Sequence, residues 1–345
     1  MIYVWFRSGV PGVMLSFGPA RSAVTLRSLA FVVIAVLALQ EAAGAQSYQA
    51  YPERPVRIIV PTGPGGAYDQ IGRLLAKRLS EQFKQTFFVE TRVGGGSLVG
   101  TQAAAQAPAD GYTLLVGGLS NMVFNFALYR QVPYEPDDFA AVAIVYQSPY
   151  VMMARSGLPE KDLGEIISYA RQSPGKLTIA HAGTGSGQQI VGAAFMKLIG
   201  ATIVEVPYRT PQAAYPDLIA GRVDITFDSA AAALPFINAR KVRGIAILAP
   251  ERHPATPNLP TMAQAGLSGL NVESWIGLFA PVRTPPEVLT RLRQETRIAA
   301  VDLKEAFAKT GGYLMQMTPA KTDRFIKAEY DRWTRVIHDS GIRLD

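Results

Sequence analysis

Apolar residues alternate between short β-branched runs and helical repeats from residue 51 onwards. The run Val56–Val60 predicts a buried strand, and Ile71, Leu75 and Leu79 recur at the spacing of an amphipathic helix. Further strands are predicted at residues 86–90 and 112–116, with a helix of small residues at 101–106. This β-α-β-α-β order predicts an α/β fold, in which helices flank a parallel sheet.

A second series with the same architecture follows residue 160, although no repeat of fixed period links the two. Its helices are predicted at residues 163–170, 190–199 and 213–220, and its strands at 177–181, 203–206, 223–227 and 242–248. Residues 141–154 form two apolar stretches separated by Ser148 and Pro149. The last predicted elements are a proline-rich loop at 250–260, a strand at 272–280 returning to the first series, and a C-terminal amphipathic helix that packs as a cap.

Each series contains a glycine-rich loop between a predicted strand and a predicted helix. The first loop runs over residues 62–69 and the second over residues 182–187. Unpaired N–H groups and the helix dipole make such a helix start suited to an anion, and glycine lets the anion approach the backbone. The alternative for each loop is a tight turn that binds nothing. Asp69 fits as an N-cap or as a brace for the first loop.

The two loops together favour a binding site. Parallel sheets bind ligands at the carboxyl ends of their strands, so facing lobes would place both loops in one cleft. Familiar nucleotide and catalytic motifs fail on spacing, because Tyr68 and Gln188 stand where a dinucleotide fingerprint needs glycine. No hydrolase elbow surrounds Ser120 or Ser186, and Asp224 and Asp228 lie at opposite ends of a short strand without a suitably placed histidine. We therefore assign no catalytic residues.

Composition narrows the possible classes of protein further. The 345 residues carry 34 Lys and Arg against 27 Asp and Glu, a net charge of +7, and 48% are apolar, as in a folded chain of about two domains. The chain has no cysteine and three histidines, so we expect no disulfide, metal site or cofactor. The charge is too mild for nucleic acid but suits a small anionic ligand.

Residues 1–45 have the pattern of a cleaved signal peptide. Arg21 and Arg27 precede an uncharged apolar stretch, which is too short to span a bilayer, and Ala43-Gly44-Ala45 offers a cleavage site. Met14 is an alternative start. Loss of residues 1–45, with three arginines and one glutamate, leaves a net charge of +5. The pattern predicts export to the periplasm.

Motifs along the mature chain resemble one family, the Bug-type or tripartite tricarboxylate transporter solute-binding proteins. The motifs are Tyr51-Pro-Glu-Arg-Pro-Val-Arg-Ile-Ile-Val-Pro61, Gly65-Gly66-Ala-Tyr-Asp69, Asp110-Gly-Tyr-Thr-Leu-Leu115, Val132-Pro-Tyr134, Pro174-Gly-Lys-Leu177, Gly183-Thr-Gly-Ser186, Val206-Pro-Tyr-Arg209, Asp217-Leu-Ile-Ala-Gly-Arg-Val-Asp224, Phe227-Asp228, Leu259-Pro-Thr261, Ala265-Gly-Leu267 and Trp275-Ile-Gly-Leu278. Singly they are weak, but in this order over residues 51–345 they are specific.

The resemblance implies a periplasmic binding protein of type II. Each of its two lobes would be a mainly parallel sheet flanked by helices, with the ligand cleft between them, as in a Venus flytrap. Lobe one would comprise residues 47–147 and 275–345, and lobe two residues 148–274. The hinge crossings would lie near residues 146–151 and 274–280.

The resemblance also implies that backbone N–H groups and ordered waters hold a ligand carboxylate. The residues carried over are Thr62, Gly66, Ala67, Tyr68 and Asp69 from the first loop, Thr184, Gly185, Ser186 and Gly187 from the second, and Ser120, Asn121, Tyr208, Arg209 and Asp228 from the cleft wall. Tyr68 and Arg209 depart from the family pattern. Tyr68 can stack on a ring and Arg209 can pair with a second carboxylate, or both can face solvent.

The main hypothesis is a monomeric, non-enzymatic protein that binds a small carboxylate and delivers it to membrane permease subunits. Two alternatives stay open at this point. The protein can instead report its ligand to a sensor protein without transport, or it can be a secreted enzyme. The sequence does not name the ligand.

Overall fold

Ten strands form one continuous mixed sheet in the part of the chain that the computed structural model describes, residues 51–340. The strands are β1 (Val56–Val60), β2 (Phe87–Thr91), β3 (Thr113–Gly118), β4 (Phe139–Arg155), β5 (Thr178–His181), β6 (Val204–Pro207), β7 (Ile225–Ser229), β8 (Val242–Ile247), β9 (Glu273–Pro281) and β10 (Tyr313–Leu314). The predicted signal peptide, residues 1–45, lies outside the described residues.

Strand direction changes along the sheet, whose order is β2-β1-β3-β9-β4-β7-β5-β6, with β8 and β10 also paired to β4. At one end β1 is parallel to β2 and β3, and at the other β5 is parallel to β6 and β7. The antiparallel pairings of the centre are made by β4 and β9. The two parallel series predicted from the sequence are therefore present, and two long strands join them.

Strand β4 corrects one prediction, because it runs unbroken for 17 residues where two separate stretches were expected. Ser148 and Pro149 lie within it and pair with Ser274 and Glu273 of β9. Proline lacks one N–H donor, but the next residue, Tyr150, keeps its bond to the Val272 carbonyl at 2.9 Å. The first part of β4 pairs with β9 and the last part with β7 and β8. The division into lobes at this point stays a prediction.

Ten α-helices surround the sheet in the described residues. They are α1 (Ala67–Phe83), α2 (Leu98–Ala105), α3 (Asn125–Leu128), α4 (Leu163–Gln172), α5 (Gly187–Ile199), α6 (Pro211–Ala220), α7 (Ala230–Asn238), α8 (Pro286–Asp302), α9 (Lys304–Lys309) and α10 (Pro319–Ser340). A π-helical turn at Ser120–Phe124 follows β3. The C-terminal helix α10 buries Trp333, whose ring meets Phe124 edge-on at 4.9 Å, so the predicted cap is confirmed.

Four helices were not predicted, of which α3 has only four residues. Helix α7 is mostly apolar, with Pro235 inside it and its first five residues buried, so it lacks the polar face that produces a 3.6-residue pattern. Helix α8 opens with Pro286 in its first turn, a start signal that the hydrophobic pattern alone does not use. Helix α9 has only six residues. No helix among residues 51–340 is long and apolar enough to cross a membrane.

Candidate ligand-binding site

The two glycine-rich loops line one cavity of about 120 Å³. Nine of the fourteen site residues predicted from the sequence line it: Thr62, Gly66, Ala67, Tyr68, Ser120, Ser186, Gly187, Arg209 and Asp228. The loops follow β1 and β5, and residues 120 and 228 lie just after β3 and within β7. The carboxyl ends of strands from both parallel series therefore meet at this cavity, as the topology predicts.

Helix α1 begins at the cavity with unpaired N–H groups. Its N-cap, Gly66, is extended (ψ 172°), and no side chain caps the helix. The first helical hydrogen bond joins the Gln70 N–H to the Gly66 carbonyl at 2.9 Å. The N–H groups of Ala67, Tyr68 and Asp69 consequently have no partner among the described residues. They carry the positive end of the helix dipole.

Asp69 braces this loop instead of capping the helix. The helix starts at Ala67, which places Asp69 in its first turn, so the N-cap alternative is wrong. The Asp69 Oδ2 atom accepts the Gly65 N–H at 2.9 Å, and Oδ1 lies 2.9 Å from Arg73 Nε. Gly65 has φ +80°, which favours glycine. Asp69 thus holds the loop backbone in place, and its side chain is not part of the cavity lining.

Helix α5 is the second helix that begins at the cavity. Ser186 is its N-cap and accepts the Gln189 N–H at 3.3 Å, while Gln189 Oε1 accepts the Gly185 N–H at 2.8 Å. The N–H groups of Gly187 and Gln188 have no partner in the described part of the chain, and both residues line the cavity. A Cβ at residue 187 would collide with the Tyr150 hydroxyl. Glycine is therefore required for α5 to start this close to β4.

Five predicted site residues do not line the cavity: Asp69, Asn121, Thr184, Gly185 and Tyr208. Asn121 is fully buried, where Oδ1 accepts the Gly118 N–H at 2.9 Å and Nδ2 donates to Thr101 at 3.0 Å. Tyr208 donates its hydroxyl hydrogen to Asp217 at 2.7 Å. The side chains of Asn121 and Tyr208 therefore hold the backbone around the cavity in place and do not form its wall.

Tyr68 and Arg209 differ in environment. Tyr68 is buried, and its hydroxyl oxygen accepts the Ser120 N–H at 3.2 Å. Burial raises the pKa of Tyr68, so it stays neutral. Arg209 is exposed yet lines the cavity, and it has no ion pair or hydrogen bond with another described residue. The solvent-facing alternative is thus wrong for Tyr68, while Arg209 offers an unpaired cation at the cavity.

Asp228 is the one acidic side chain among the described lining residues. It is 6% exposed and accepts three hydrogen bonds, from the Ser229 N–H (2.8 Å), Gln188 Nε2 (3.1 Å) and the Tyr215 hydroxyl (3.1 Å). Burial raises the pKa of Asp228 to about 6, although the three donors act in the opposite direction. Its charge is therefore costly in the absence of a ligand.

Part of the lining was not predicted. The glycine loop after β2 contributes Gly94 to Ser97, all with positive φ. Gln188 and Thr210 are chain neighbours of predicted site residues, and other elements contribute Tyr150, Gln212, Ser229 and Ser274. The glycine run was visible in the sequence, and its place after a strand was the available signal. Thr62 Oγ1, Ser229 Oγ and both amide atoms of Gln212 are buried without a hydrogen-bond partner in residues 51–340. Such groups are suited to a ligand.

The loops approach each other closely around the cavity. A Cβ on Gly63 would lie 2.5 Å from Thr210 Cγ2, and one on Gly96 would lie 3.2 Å from the Thr184 carbonyl oxygen. The Tyr129 hydroxyl also donates to that carbonyl at 3.4 Å. Loops from the two parallel series thus touch on two sides. Within residues 51–340 no group of three or more His, Asp or Glu side chains is placed to hold a metal.

The fold and cavity define an α/β binding protein, and comparison assigns its family. Residues 71–342 match the family model described as tripartite tricarboxylate transporter family receptor. The chain belongs to this family of solute-binding receptors. It is 36% identical over 297 residues to the UPF0065 protein in the tcbD-tcbE intergenic region of Pseudomonas sp. (strain P51), covering 85% of this chain and 88% of that protein.

Solved structures confirm the periplasmic binding protein fold. R. palustris Rpa4515 with adipate superposes with a TM-score of 0.82 at 32% identity, over 85% of this chain and 99% of that one. The periplasmic binding protein BugD superposes with a TM-score of 0.80 at 28% identity, over 85% and 99%. The similarity to both covers almost the whole described chain.

Proposed function

We propose that this protein captures a small carboxylate in the cavity between its glycine-rich loops. It works in the periplasm and delivers the ligand to the membrane permease of a tripartite tricarboxylate-type transporter. The observation that carries the proposal is the pair of helix starts, α1 and α5, which both bring unpaired N–H groups to one cavity.

A carboxylate pairs with these unpaired N–H groups better than water does. It accepts several hydrogen bonds at once and carries the negative charge that helix N-termini favour. Hydrogen bonds to a charged group contribute roughly 1.5–3 kcal/mol each. Gly63, Gly66 and Gly187 line the cavity and have no side chain of their own to cover the backbone. The adipate bound to Rpa4515 supports a carboxylic ligand, and the periplasmic placement of BugD supports the compartment.

Arg209 extends the proposal to the far end of the ligand. It lines the cavity, stays exposed and pairs with no other described residue. A guanidinium binds a carboxylate through two parallel hydrogen bonds. We propose that Arg209 meets a second carboxylate, so dicarboxylates bind more tightly than monocarboxylates of the same length.

The test compares Ala67→Pro with Thr184→Ala. Proline at residue 67 removes one unpaired N–H but no helical bond, and the extended backbone of Gly66 is compatible with a following proline. Thr184→Ala removes a side chain outside the cavity lining. We expect Ala67→Pro to weaken carboxylate binding about ten- to a hundredfold and Thr184→Ala to leave it nearly unchanged.

The measurement is calorimetric titration with carboxylates first selected by thermal shift, where ligand at 100 times its Kd adds roughly 2.7 kcal/mol of stability. Methyl esters of the selected carboxylates are the matched ligand controls. Equal melting temperatures of the unliganded variants show that the fold is intact. Undiminished binding by a folded Ala67→Pro variant would remove the α1 start from the site.

A further inference from the structure

Asp228 is an unusual group to find in the wall of an anion site. A buried carboxylate beside a bound carboxylate is repelled by it, and burial alone already disfavours the charge. Arg209 is the one basic side chain among the described lining residues, and it makes no ion pair with Asp228. Some other group must therefore make Asp228 compatible with the ligand.

The hydrogen bonds around Asp228 are arranged for an acceptor. Its Oδ1 atom receives the Ser229 N–H and Gln188 Nε2, which fills that oxygen. Its Oδ2 atom receives only the Tyr215 hydroxyl among the described residues. A carboxylate offers about four acceptor positions, so Oδ2 retains one. Each surrounding group supplies a hydrogen, and the same role is left for the ligand.

Neighbouring titratable groups do not supply a compensating charge. Tyr150 on β4 and Tyr215 on α6 have pKa values raised well above normal by burial and by Asp228 itself, so both remain neutral. Tyr68 on α1 is also neutral. His181 on the adjacent strand β5 bonds through Nδ1 to the Gly183 carbonyl oxygen at 3.1 Å. None of these neighbouring groups on β4, α6, α1 or β5 therefore provides a positive charge for Asp228.

We infer that the ligand carries a hydrogen-bond donor, an ammonium or a hydroxyl group, in addition to its carboxylate, and that Asp228 selects this donor. The inference rests on the proposed function, because it assumes that a carboxylate occupies the helix starts. The ligand class is then amino or hydroxy carboxylic acids, and plain carboxylic acids of the same skeleton are weaker ligands.

Matched ligands test this selection on the unmodified protein. Three sets keep one skeleton and change one substituent: propionate, lactate and alanine; succinate, malate and aspartate; glutarate, 2-hydroxyglutarate and glutamate. In the set that binds, we expect the donor-bearing member to bind about ten- to a hundredfold more tightly than the plain acid. A preference for the amino or the hydroxy member identifies the donor.

Asp228→Asn links the selection to this residue. We expect the variant to lose the preference chiefly by losing affinity for the donor-bearing ligand, while the plain acid binds as well as before or better. If plain acids bind the parent protein as tightly as the donor-bearing acids do, the inference is overturned and the proposed function stands. Failure of every carboxylate to bind overturns the proposed function itself. The comparison within the parent protein holds even if the variant does not fold.

The pH dependence provides an independent readout. If the ligand donates to the Asp228 carboxylate, affinity rises as pH increases from 5 to 7, because the pKa of Asp228 in the free protein is about 6. If a protonated Asp228 donates to the ligand, affinity falls over the same range, which overturns the inference. Asp228→Asn removes this dependence.

Discussion

Two buried aspartates of the site region have opposite surroundings. Asp69 lies beside the Arg73 guanidinium, whereas Asp228 is held by neutral donors. Burial without a cation raises the pKa of Asp228 to about 6, above its usual value near 3.8. A carboxyl group with a raised folded-state pKa stabilises the fold at low pH, and that contribution is lost as pH rises through the folded-state pKa. The charge on Asp228 thus lowers the stability of the ligand-free protein at neutral pH.

Asp228→Asn is expected to change how stability depends on pH. The variant carries no charge at this position, so its melting temperature relative to the parent should be most favourable at pH 7–8 and should decline towards pH 4. Thermal unfolding of both ligand-free proteins across this range measures the difference. Asp69→Asn, at a group paired with a cation, is the comparison variant. A constant difference between parent and Asp228→Asn at every pH would contradict the burial argument.

At the scale of single residues, the sequence predicts those that lie beside the motif to which they belong. The glycine loops lie next to their own helices, so order and spacing predict both loops, and the resemblance implies Gly66, Ala67, Ser186 and Gly187 within them. Tyr150, Ser229 and Gln212 reach the cavity only because β4, β7 and α6 come together in the folded sheet. No local pattern contains that information. Arg209 was carried over from the resemblance as a cleft-wall residue, at a position where this chain departs from the family pattern.

Among the elements, those with a clear period were predicted closely. Strand β1 and helix α5 have apolar positions at regular spacing and were predicted at or within a few residues of their observed bounds. Helix α7 has no polar face and was missed. Strand β4 was divided at Pro149 because proline normally interrupts a strand, yet β4 pairs with β9 up to Pro149 and with β7 from Tyr150 onwards. Tertiary pairing therefore overrode the local signal.

The contact between the loop after β1 and the start of α6 is expected to control closure of the cavity. Gly63 faces the Thr210 methyl group, where a Cβ would lie 2.5 Å away. We expect Gly63→Ala to weaken ligand binding by keeping the loops apart. Its effect on the melting temperature of the ligand-free protein should be small, because Gly63 is not one of the glycines with positive φ.

Thr210→Ser is the matched second change, since it removes the methyl group and keeps the hydroxyl that accepts the Ala213 N–H at 3.3 Å. Titration of Gly63→Ala and of the double variant measures the effect. The double variant should recover part of the lost affinity. No recovery, with both proteins folded, would show that this contact does not limit binding.

For the whole molecule, we expect ligand capture to make the protein more compact. The structure has loops of both parallel series in contact around the cavity, so a ligand can enter or leave only when they separate. Hinge motion of this kind is common in proteins that enclose small ligands. Small-angle scattering should show a smaller radius of gyration at saturating ligand than without ligand. Identical profiles would indicate a rigid cavity that opens only locally.

The position of β9 also has a consequence for folding. It fills the place between β3 and β4, and its partners on β4 lie far away in sequence, as the Gln147–Glu273 bond shows with a separation of 126 residues. Pairings across such a distance close large loops and form slowly. Until residues 273–281 are available, β3 and β4 each keep an open edge, which invites association with other chains. An N-terminal fragment that ends before residue 273 therefore cannot complete the sheet.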